Sequence, residues 1–129
     1  MATFKTFQEV EVWQKAMDLI EKIYLITNNK TFSSDYNLVN QIRRSAISVA
    51  SNIAEGMERD GNKELINFLY ISKGSCGELH CQLMIAQRIG YLDMNNFSEL
   101  SNLATEIGKS LGGLITYLKD SEFKGKKYK

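Results

Sequence analysis

Apolar residues recur every three or four positions along most of the chain, which is the period of a helix with one buried face. The first such stretch covers about residues 7–27, and its stripe consists of Val10, Trp13, Met17, Ile20 and Tyr24. The second covers about residues 36–57 and repeats Leu38, Ile42, Val49, Ile53 and Met57, with Ala46 in the gap. The polar segment 28–34 predicts a loop between them, with Ser33, Ser34 or Asp35 as the next N-cap.

Two further helices are predicted by apolar positions that alternate steps of four and three. In residues 62–89 these positions are Leu65, Leu69, Ser72, Cys76, Leu79, Leu83 and Ala86. In residues 96–119 they are Phe97, Leu100, Ala104, Ile107, Leu111, Leu114 and Leu118. Gly90 is expected as a left-handed cap, and Asn96 with Glu99 as a capping box. The pattern predicts an all-α, antiparallel up-down-up-down four-helix bundle in a single domain, residues 1–129, with a basic tail over residues 120–129.

Composition narrows the classes of protein that the pattern allows. The 129 residues include no proline, which favours long uninterrupted helices, and a hydrophobic share of 43% excludes low-hydrophobicity disorder. No apolar run reaches the ~18–20 residues of a membrane span, and no secretory signal is recognisable, so we expect a cytoplasmic protein. The net charge is +1, but five lysines against two acidic residues make segment 119–129 basic, with charge +3. That segment is either a contact for an anionic surface or a solvated end.

The sequence has few residues for acid-base or metal chemistry. Cys76 and His80 lie four apart and could share a metal ion, but a structural zinc site needs four ligands and His80 is the single histidine. The Glu-x-x-His motif of di-iron bundles and the phosphate loop of nucleotide-binding proteins are both missing. We therefore expect no enzymatic activity, cofactor, metal or small-molecule substrate.

A polar stripe runs along the second predicted helix. Arg44, Ser48, Ser51 and Glu55 follow one another at helical spacing, and they are flanked by Gln41, Arg43, Asn52 and Arg59. Such a stripe suits contacts to phosphates, a hydrogen-bonded interface with another helix, or an ordinary solvated face. Composition leaves all three interpretations open.

Glycines interrupt the third and fourth predicted helices, at a cost of roughly 0.5–1 kcal/mol each relative to alanine. They are Gly74, Gly77, Gly108, Gly112 and Gly113. Ala104, Gly108 and Gly112 share one face of the fourth helix, which would let another backbone approach closely. The partner is either another helix of the same bundle or a second subunit.

Six short runs of sequence carry a resemblance to a known family. They are residues 12–19 (VWQKAMDL), 41–46 (QIRRSA), 51–56 (SNIAEG), 68–69 (FL), 73–75 (KGS) and 78–79 (EL). Together, over about residues 7–118, they resemble the proteins encoded in intervening sequences of bacterial 23S rRNA genes, often labelled S23 ribosomal proteins. The accessory protein of diversity-generating retroelements is similar. The resemblance implies a four-helix bundle that assembles as a homopentameric ring, with nucleic acid as the inferred ligand.

The chain departs from this family at three places. Phe32-Ser33 stands where Phe-Pro is usual, and a proline usual near Ala50 is also missing. Where relatives have Glu-Leu-Glu-Thr, this chain has Glu78-Leu79-His80-Cys81 and loses one carboxylate. The near-neutral charge also weakens the expectation of nucleic-acid binding, because such binding requires several phosphate contacts.

The resemblance and the polar stripe together predict a non-enzymatic protein that binds structured rRNA or a ribonucleoprotein. The expected contacts are the basic residues Arg43, Arg44, Arg59, Lys63, Lys124, Lys126 and Lys127. The polar residues of the family motif are Gln41, Ser48, Ser51, Asn52, Glu55 and Glu78. The alternative is a homo-oligomeric protein-protein adaptor that makes no direct contact with nucleic acid.

Overall fold

The computed structural model describes residues 10–128, with side chains for residues 10–121. Over that range the backbone forms five helices and no strand, which confirms the predicted all-α class. The helices are α1 (Glu11–Thr27), α2 (Lys30–Ser33), α3 (Tyr36–Glu58), α4 (Asn62–Arg88) and α5 (Met94–Tyr128). None of these helices is long and apolar enough to cross a membrane.

The four long helices stand at the corners of a square. Helix α3 packs on α4, α4 on α5, and α1 on both α3 and α5, whereas within residues 10–128 no Cα atoms of the diagonal pairs come within 8 Å of each other. Side-chain contacts show the antiparallel direction, since His80 meets Ser101 near one end of the α4–α5 pair and Tyr70 meets Lys119 near the other. The chain is therefore a packed antiparallel bundle.

The core follows the predicted stripes on three of the four long helices. All seven heptad positions predicted on α4 are buried, and α5 contributes Leu100, Ile107, Leu111 and Leu118 with at most 2% exposure. Helix α3 adds the fully buried Ile42, Val49 and Ile53. The alternating steps of four and three identified the inward faces correctly because they match the packing period of antiparallel helices.

Helix α1 buries a different face from the predicted one. Its core residues are Val12, Ala16, Leu19, Ile23 and Thr27. In the predicted stripe, Trp13 and Ile20 are half-buried, while Met17 and Tyr24 are exposed by 37% and 39%. The prediction followed the larger apolar side chains. The face that packs inward includes smaller side chains, among them the fully buried Ala16 and Thr27.

The segment predicted as a loop between the first two long helices contains the one-turn helix α2. Asn29 caps it, since its side chain accepts a hydrogen bond from the Phe32 backbone N–H at 2.9 Å. Phe32 is fully buried and packs against Tyr91, with ring centroids 5.4 Å apart. Asp35 then caps α3 by accepting from the Leu38 N–H at 3.1 Å, as one of the predicted N-caps. This segment therefore covers one end of the core.

Both ends of α5 differ from the predictions. The helix begins at Met94, and the Asp93 carboxylate accepts from the Asn96 backbone N–H at 2.7 Å, so the expected capping box at Asn96 and Glu99 is wrong. The helix continues to Tyr128, so the backbone of the predicted tail is helical up to that residue. Gly90, with φ of +89°, confirms the predicted left-handed position after α4.

Candidate interaction site

Small hydroxyl and amide side chains line one edge of the α3–α4 interface. The Ser72 hydroxyl donates to the Val49 carbonyl oxygen at 2.7 Å, and the hydroxyl oxygens of Ser48 and Ser75 lie 2.8 Å apart. Asn52 Nδ2 donates to both the carbonyl and the hydroxyl oxygen of Ser48, at 2.8 and 2.9 Å. Two members of the predicted polar stripe, Ser48 and Asn52, thus belong to a hydrogen-bonded helix interface within the chain, which we call the polar seam.

Beside the polar seam, towards the N-terminal end of α3, the same two helices form an open surface groove of about 670 Å³. It is lined by Asn37, Asn40, Gln41, Arg44, Ser45, Ser48, Glu78 and Gln82. The Ser45 hydroxyl donates to Glu78 Oε1 at 3.0 Å across the floor. This volume lies in the range of small-molecule pockets, ~300–1,000 Å³. We call it the α3–α4 groove, and it brings together four predicted residues: Gln41, Arg44, Ser48 and Glu78.

Gln82 is the least expected member of the groove. Its side chain is only 7% exposed, and Oε1 is buried without a hydrogen-bond partner among the described residues. A buried amide oxygen without a donor is costly, and most such atoms in proteins are paired. This oxygen is closed off from solvent, so it is not within reach of a group bound in the groove.

The side chains of Arg43 and Arg44, which are adjacent in α3, point to different sides of the helix. Arg43 points towards α1, where its Nε donates to Thr27 Oγ1 at 3.0 Å and its guanidinium lies 4.2 Å from the centroid of the Tyr24 ring. Arg44 is exposed on the groove side and has no ion-pair or hydrogen-bond partner in the described part of the chain. Of these two arginines, only Arg44 has its whole guanidinium group free to contact a ligand.

The remaining basic residues lie elsewhere. Arg59 Nε donates to Glu55 Oε2 at 3.0 Å, and its guanidinium lies 5.1 Å from the Phe68 ring centroid. Lys63 is exposed in the first turn of α4. Fifteen residues of helix at ~1.5 Å each place Arg59 about 22 Å along α3 from Arg44. The side chains of Lys124, Lys126 and Lys127 lie outside the described residues.

Four residues of the groove were not predicted from the sequence: Asn37, Asn40, Ser45 and Gln82. The first two precede the polar stripe by one helical turn each and could have been added by extending it. Gln82 follows Glu78 by four positions, so the two share one face of α4. This spacing was the feature of the sequence that could have predicted Gln82 as a groove residue. A lone glutamine more commonly indicates a solvated position, so its burial needed the structure.

The Cys76 and His80 pair considered for metal binding has other neighbours. Burial raises the pKa of the Cys76 thiol to about 11, against a smaller opposing effect of the Lys73 charge. His80 Nε2 lies 3.2 Å from the Ser101 hydroxyl, and its ring meets Phe97 edge-on. Among the described residues, no group of three or more histidine, cysteine or acidic side chains is arranged to hold a metal ion.

Comparisons with known proteins place this chain in a family. A solved structure of a protein of unknown function from the S23 ribosomal protein family of Bacteroides thetaiotaomicron VPI-5482 is 26% identical, with a TM-score of 0.75. The match covers 81% of this chain and 97% of the other. No curated protein matches significantly. The sequence profile of the 23S rRNA-intervening sequence protein family matches residues 8–113. The chain therefore belongs to the 23S rRNA-intervening sequence protein family.

Proposed function

We propose that this protein is a non-enzymatic RNA-binding protein that contacts its ligand through the α3–α4 groove. The observation that carries the proposal is an exposed and unengaged guanidinium, Arg44, in a groove whose other lining side chains are amides, hydroxyls and one carboxylate. Arginine is the side chain best suited to planar acceptor groups on nucleic acids. RNA is the expected ligand because proteins of this family are encoded within rRNA genes.

The charge of the groove favours contacts to bases and sugars over a run of phosphates. One guanidinium and one carboxylate line it, and the other side chains are amides and hydroxyls. Protein groups that contact only phosphate position a nucleic acid, whereas amides and carboxylates can discriminate among base edges. The groove therefore suits an unpaired segment of RNA, whose bases are free to leave the stack.

The test compares two variants that each lose one positive charge. Arg44→Gln removes the groove guanidinium, and the control Lys22→Gln removes an exposed charge on α1, whose 3.8 Å ion pair with Glu99 is also exposed. Binding of a fluorescein-labelled single-stranded RNA is measured by anisotropy at two salt concentrations. We expect Arg44→Gln to weaken binding about tenfold, since one charge-assisted hydrogen bond is lost. Its salt slope should stay close to the wild-type value, because a guanidinium that contacts a base displaces no counterion from a phosphate.

Circular dichroism of both variants checks that the bundle remains folded. Wild-type affinity in a folded Arg44→Gln variant would show that the groove is not the RNA site. Equal weakening by Lys22→Gln would indicate a general charge effect instead.

The second candidate function is a homo-oligomeric adaptor, in which the ring implied by the family forms through α4. The observation that favours it is a set of exposed isoleucines on one face of α4 and its C-cap, which we call the isoleucine row: Ile71, Ile85 and Ile89, which are 51%, 45% and 52% exposed. Gly74 lies on the same helix, and a Cβ added there would have no heavy atom within 4 Å. Two of the isoleucines, Ile85 and Ile89, are one helical turn apart, and neighbouring exposed apolar side chains favour association. The mass in solution tests this candidate.

A further inference from the structure

We infer that the cleft between α4 and α5 binds a phosphate group of the same RNA strand whose bases contact the α3–α4 groove. The inference rests on the proposed function, because it concerns the same ligand. A groove that contacts bases and sugars leaves the phosphates of the strand to be neutralised by other side chains. The two lysines that line this cleft were not among the contacts predicted from the sequence.

The α4–α5 cleft is an open depression of about 270 Å³ on the α5 side of α4, whereas the groove lies on the α3 side. It is lined by Lys73, Cys76, Gly77, His80, Ala104, Thr105, Gly108 and Lys109. This lining has two lysines and no carboxylate, whereas the groove has one arginine and one glutamate. The cleft is therefore a local concentration of positive charge on a chain whose net charge is only +1.

Lys73 and Lys109 reach the cleft from different helices, and neither is engaged within the chain. Both are exposed, and neither makes an ion pair or a hydrogen bond among the residues whose side chains are described. Glu106, the carboxylate that precedes Lys109 by one helical turn, is bound by Lys15. Because two like charges in one cleft repel each other, an anionic group between them is favoured.

A glycine of α5 lets the Lys73 side chain lie against that helix. A Cβ on Gly112 would stand 3.4 Å from Lys73 Cε. The stem of Lys73 thus extends from α4 to α5, the helix that carries Lys109. The Thr105 hydroxyl, one turn before Lys109, adds a further donor. Two ammonium groups and a hydroxyl suit a phosphate, which has acceptor oxygens only.

One RNA strand can reach both sites because they lie at the same height on the two sides of α4. From this helix, Glu78 and Gln82 line the groove, and four residues in the range 73–80 line the cleft. An α-helix is ~10–12 Å wide with its side chains. The exposed residues of α4 between the two sites are Gly74, Gly77 and Cys81. All three are small, so the path over the helix is shorter than that width.

The experiment measures how the affinity for a fluorescein-labelled uridine octamer depends on salt. Lys73→Gln/Lys109→Gln removes both lysine charges of the cleft. We expect the slope of log K against log salt to fall by about 0.7 in this double variant, because one neutralised phosphate of a single strand is lost. Arg44→Gln should weaken binding at each salt concentration and keep the wild-type slope.

The matched control is Lys22→Gln/Lys30→Gln, which removes two exposed lysines from α1 and α2 and leaves the cleft intact. It has the same net charge as the cleft double variant and should keep the wild-type slope. An equal fall in both double variants would mean that the slope reports net charge, and the inference would be wrong.

A second variant tests the path over α4. Gly74→Gln places a long uncharged side chain between the two sites, at a position where an added Cβ meets no atom within 4 Å. We expect the octamer to bind this variant more weakly. Asn67→Gln is the control, because Asn67 is exposed on the same face of α4 about two turns earlier, and it should bind like wild type. A changed sedimentation mass of Gly74→Gln would make this face an interface between copies of the chain instead.

The inference and the proposed function fail in different ways. If the cleft double variant keeps the wild-type slope while Arg44→Gln weakens binding, the inference is wrong and the proposed function survives. If the slope falls while Arg44→Gln binds like wild type, the cleft contacts RNA and the groove does not. If no octamer binds, both are wrong. If inorganic phosphate raises the Tm of wild-type protein but not of the cleft double variant, and both bind RNA equally, the cleft holds a free anion instead.

Discussion

At the scale of single residues, Arg43 and Arg44 show how one position along a helix changes a side chain's role. Successive residues of an α-helix point about 100° apart, so the two guanidinium groups face different neighbours. Arg43 donates to the Thr27 hydroxyl, which in turn donates to the Ile23 carbonyl oxygen at 2.7 Å. Thr27 is fully buried, so Arg43 completes a small network between α1 and α3.

Arg43→Met should therefore lower the free energy of unfolding by about 1–2 kcal/mol, because the hydrogen bond and the stacking on Tyr24 are lost. Arg44→Met should change it by less than about 0.5 kcal/mol, as is usual for an exposed position. Urea unfolding followed by circular dichroism measures both. Equal effects of the two replacements would contradict the structural role assigned to Arg43.

The sequence identified both arginines as members of one polar stripe but could not separate them. Their separation depends on where α1 crosses α3, and the face of α1 that packs inward was itself predicted wrongly. Gln82 was missed for a related reason, since its burial depends on how closely α3 and α4 approach.

At the scale of helices, the glycines divide into those that the bundle requires and those that it does not. A Cβ on Gly56 would lie 2.9 Å from Phe68 Cβ and 3.0 Å from Leu65 Cδ1, so α3 and α4 touch near their turn. A Cβ on Gly74 or Gly77 would have nothing within 4 Å. Close packing within the chain therefore explains Gly56, which lies inside α3, but does not explain the exposed Gly74 and Gly77 on α4.

This contrast predicts opposite effects of alanine. Gly56→Ala should destabilise the bundle by about 1–3 kcal/mol, because the added methyl group overpacks the interface. Gly74→Ala should stabilise it by about 0.5–1 kcal/mol, because alanine favours the helix and meets no neighbour. Thermal melting of both variants gives the sign directly, and a loss of stability in Gly74→Ala would mean that an additional partner occupies that face.

Much of the fold could be predicted at this scale, because heptad spacing on α4 and α5 encodes both helix and inward face. Apart from the inward face of α1, the exceptions were local hydrogen-bond choices. Asp93 caps α5 in place of Asn96, and Asn29 starts a helical turn within a polar segment. Short polar residues compete for such caps, and a difference of one or two positions changes little in the sequence pattern.

At the scale of the whole molecule, the candidate site was only partly predictable. The stripe on α3 contained Gln41, Arg44 and Ser48, but the groove also needs Glu78 and Gln82 from α4. Their meeting is set by the register of two antiparallel helices. The predicted basic residues are also divided among different regions, with Arg43 at the α1–α3 interface and Arg59 at the α3–α4 turn.

The assembly of whole chains is tested by placing a charge in the isoleucine row of α4. If the adaptor function holds, wild-type protein should sediment as five copies of the 14.7 kDa chain, and Ile85→Glu should dissociate them. Leu25→Glu is the control, since Leu25 is 76% exposed on α1, at the opposite corner of the square. A wild-type mass of one chain, or dissociation by both variants, would count against the ring.

The closed square of helices also constrains how the chain folds. Helices α3, α4 and α5 pair with their neighbours in sequence across short turns, whereas α1 and α5 meet through Lys15 and Glu106, 91 residues apart. Closing so long a loop costs more entropy than forming the hairpins, so the α1–α5 contact should form last. Backbone amides in α1 should then exchange with deuterium faster than those in α4, because among the long helices α4 packs on a sequence neighbour at each side whereas α1 has one such neighbour, α3.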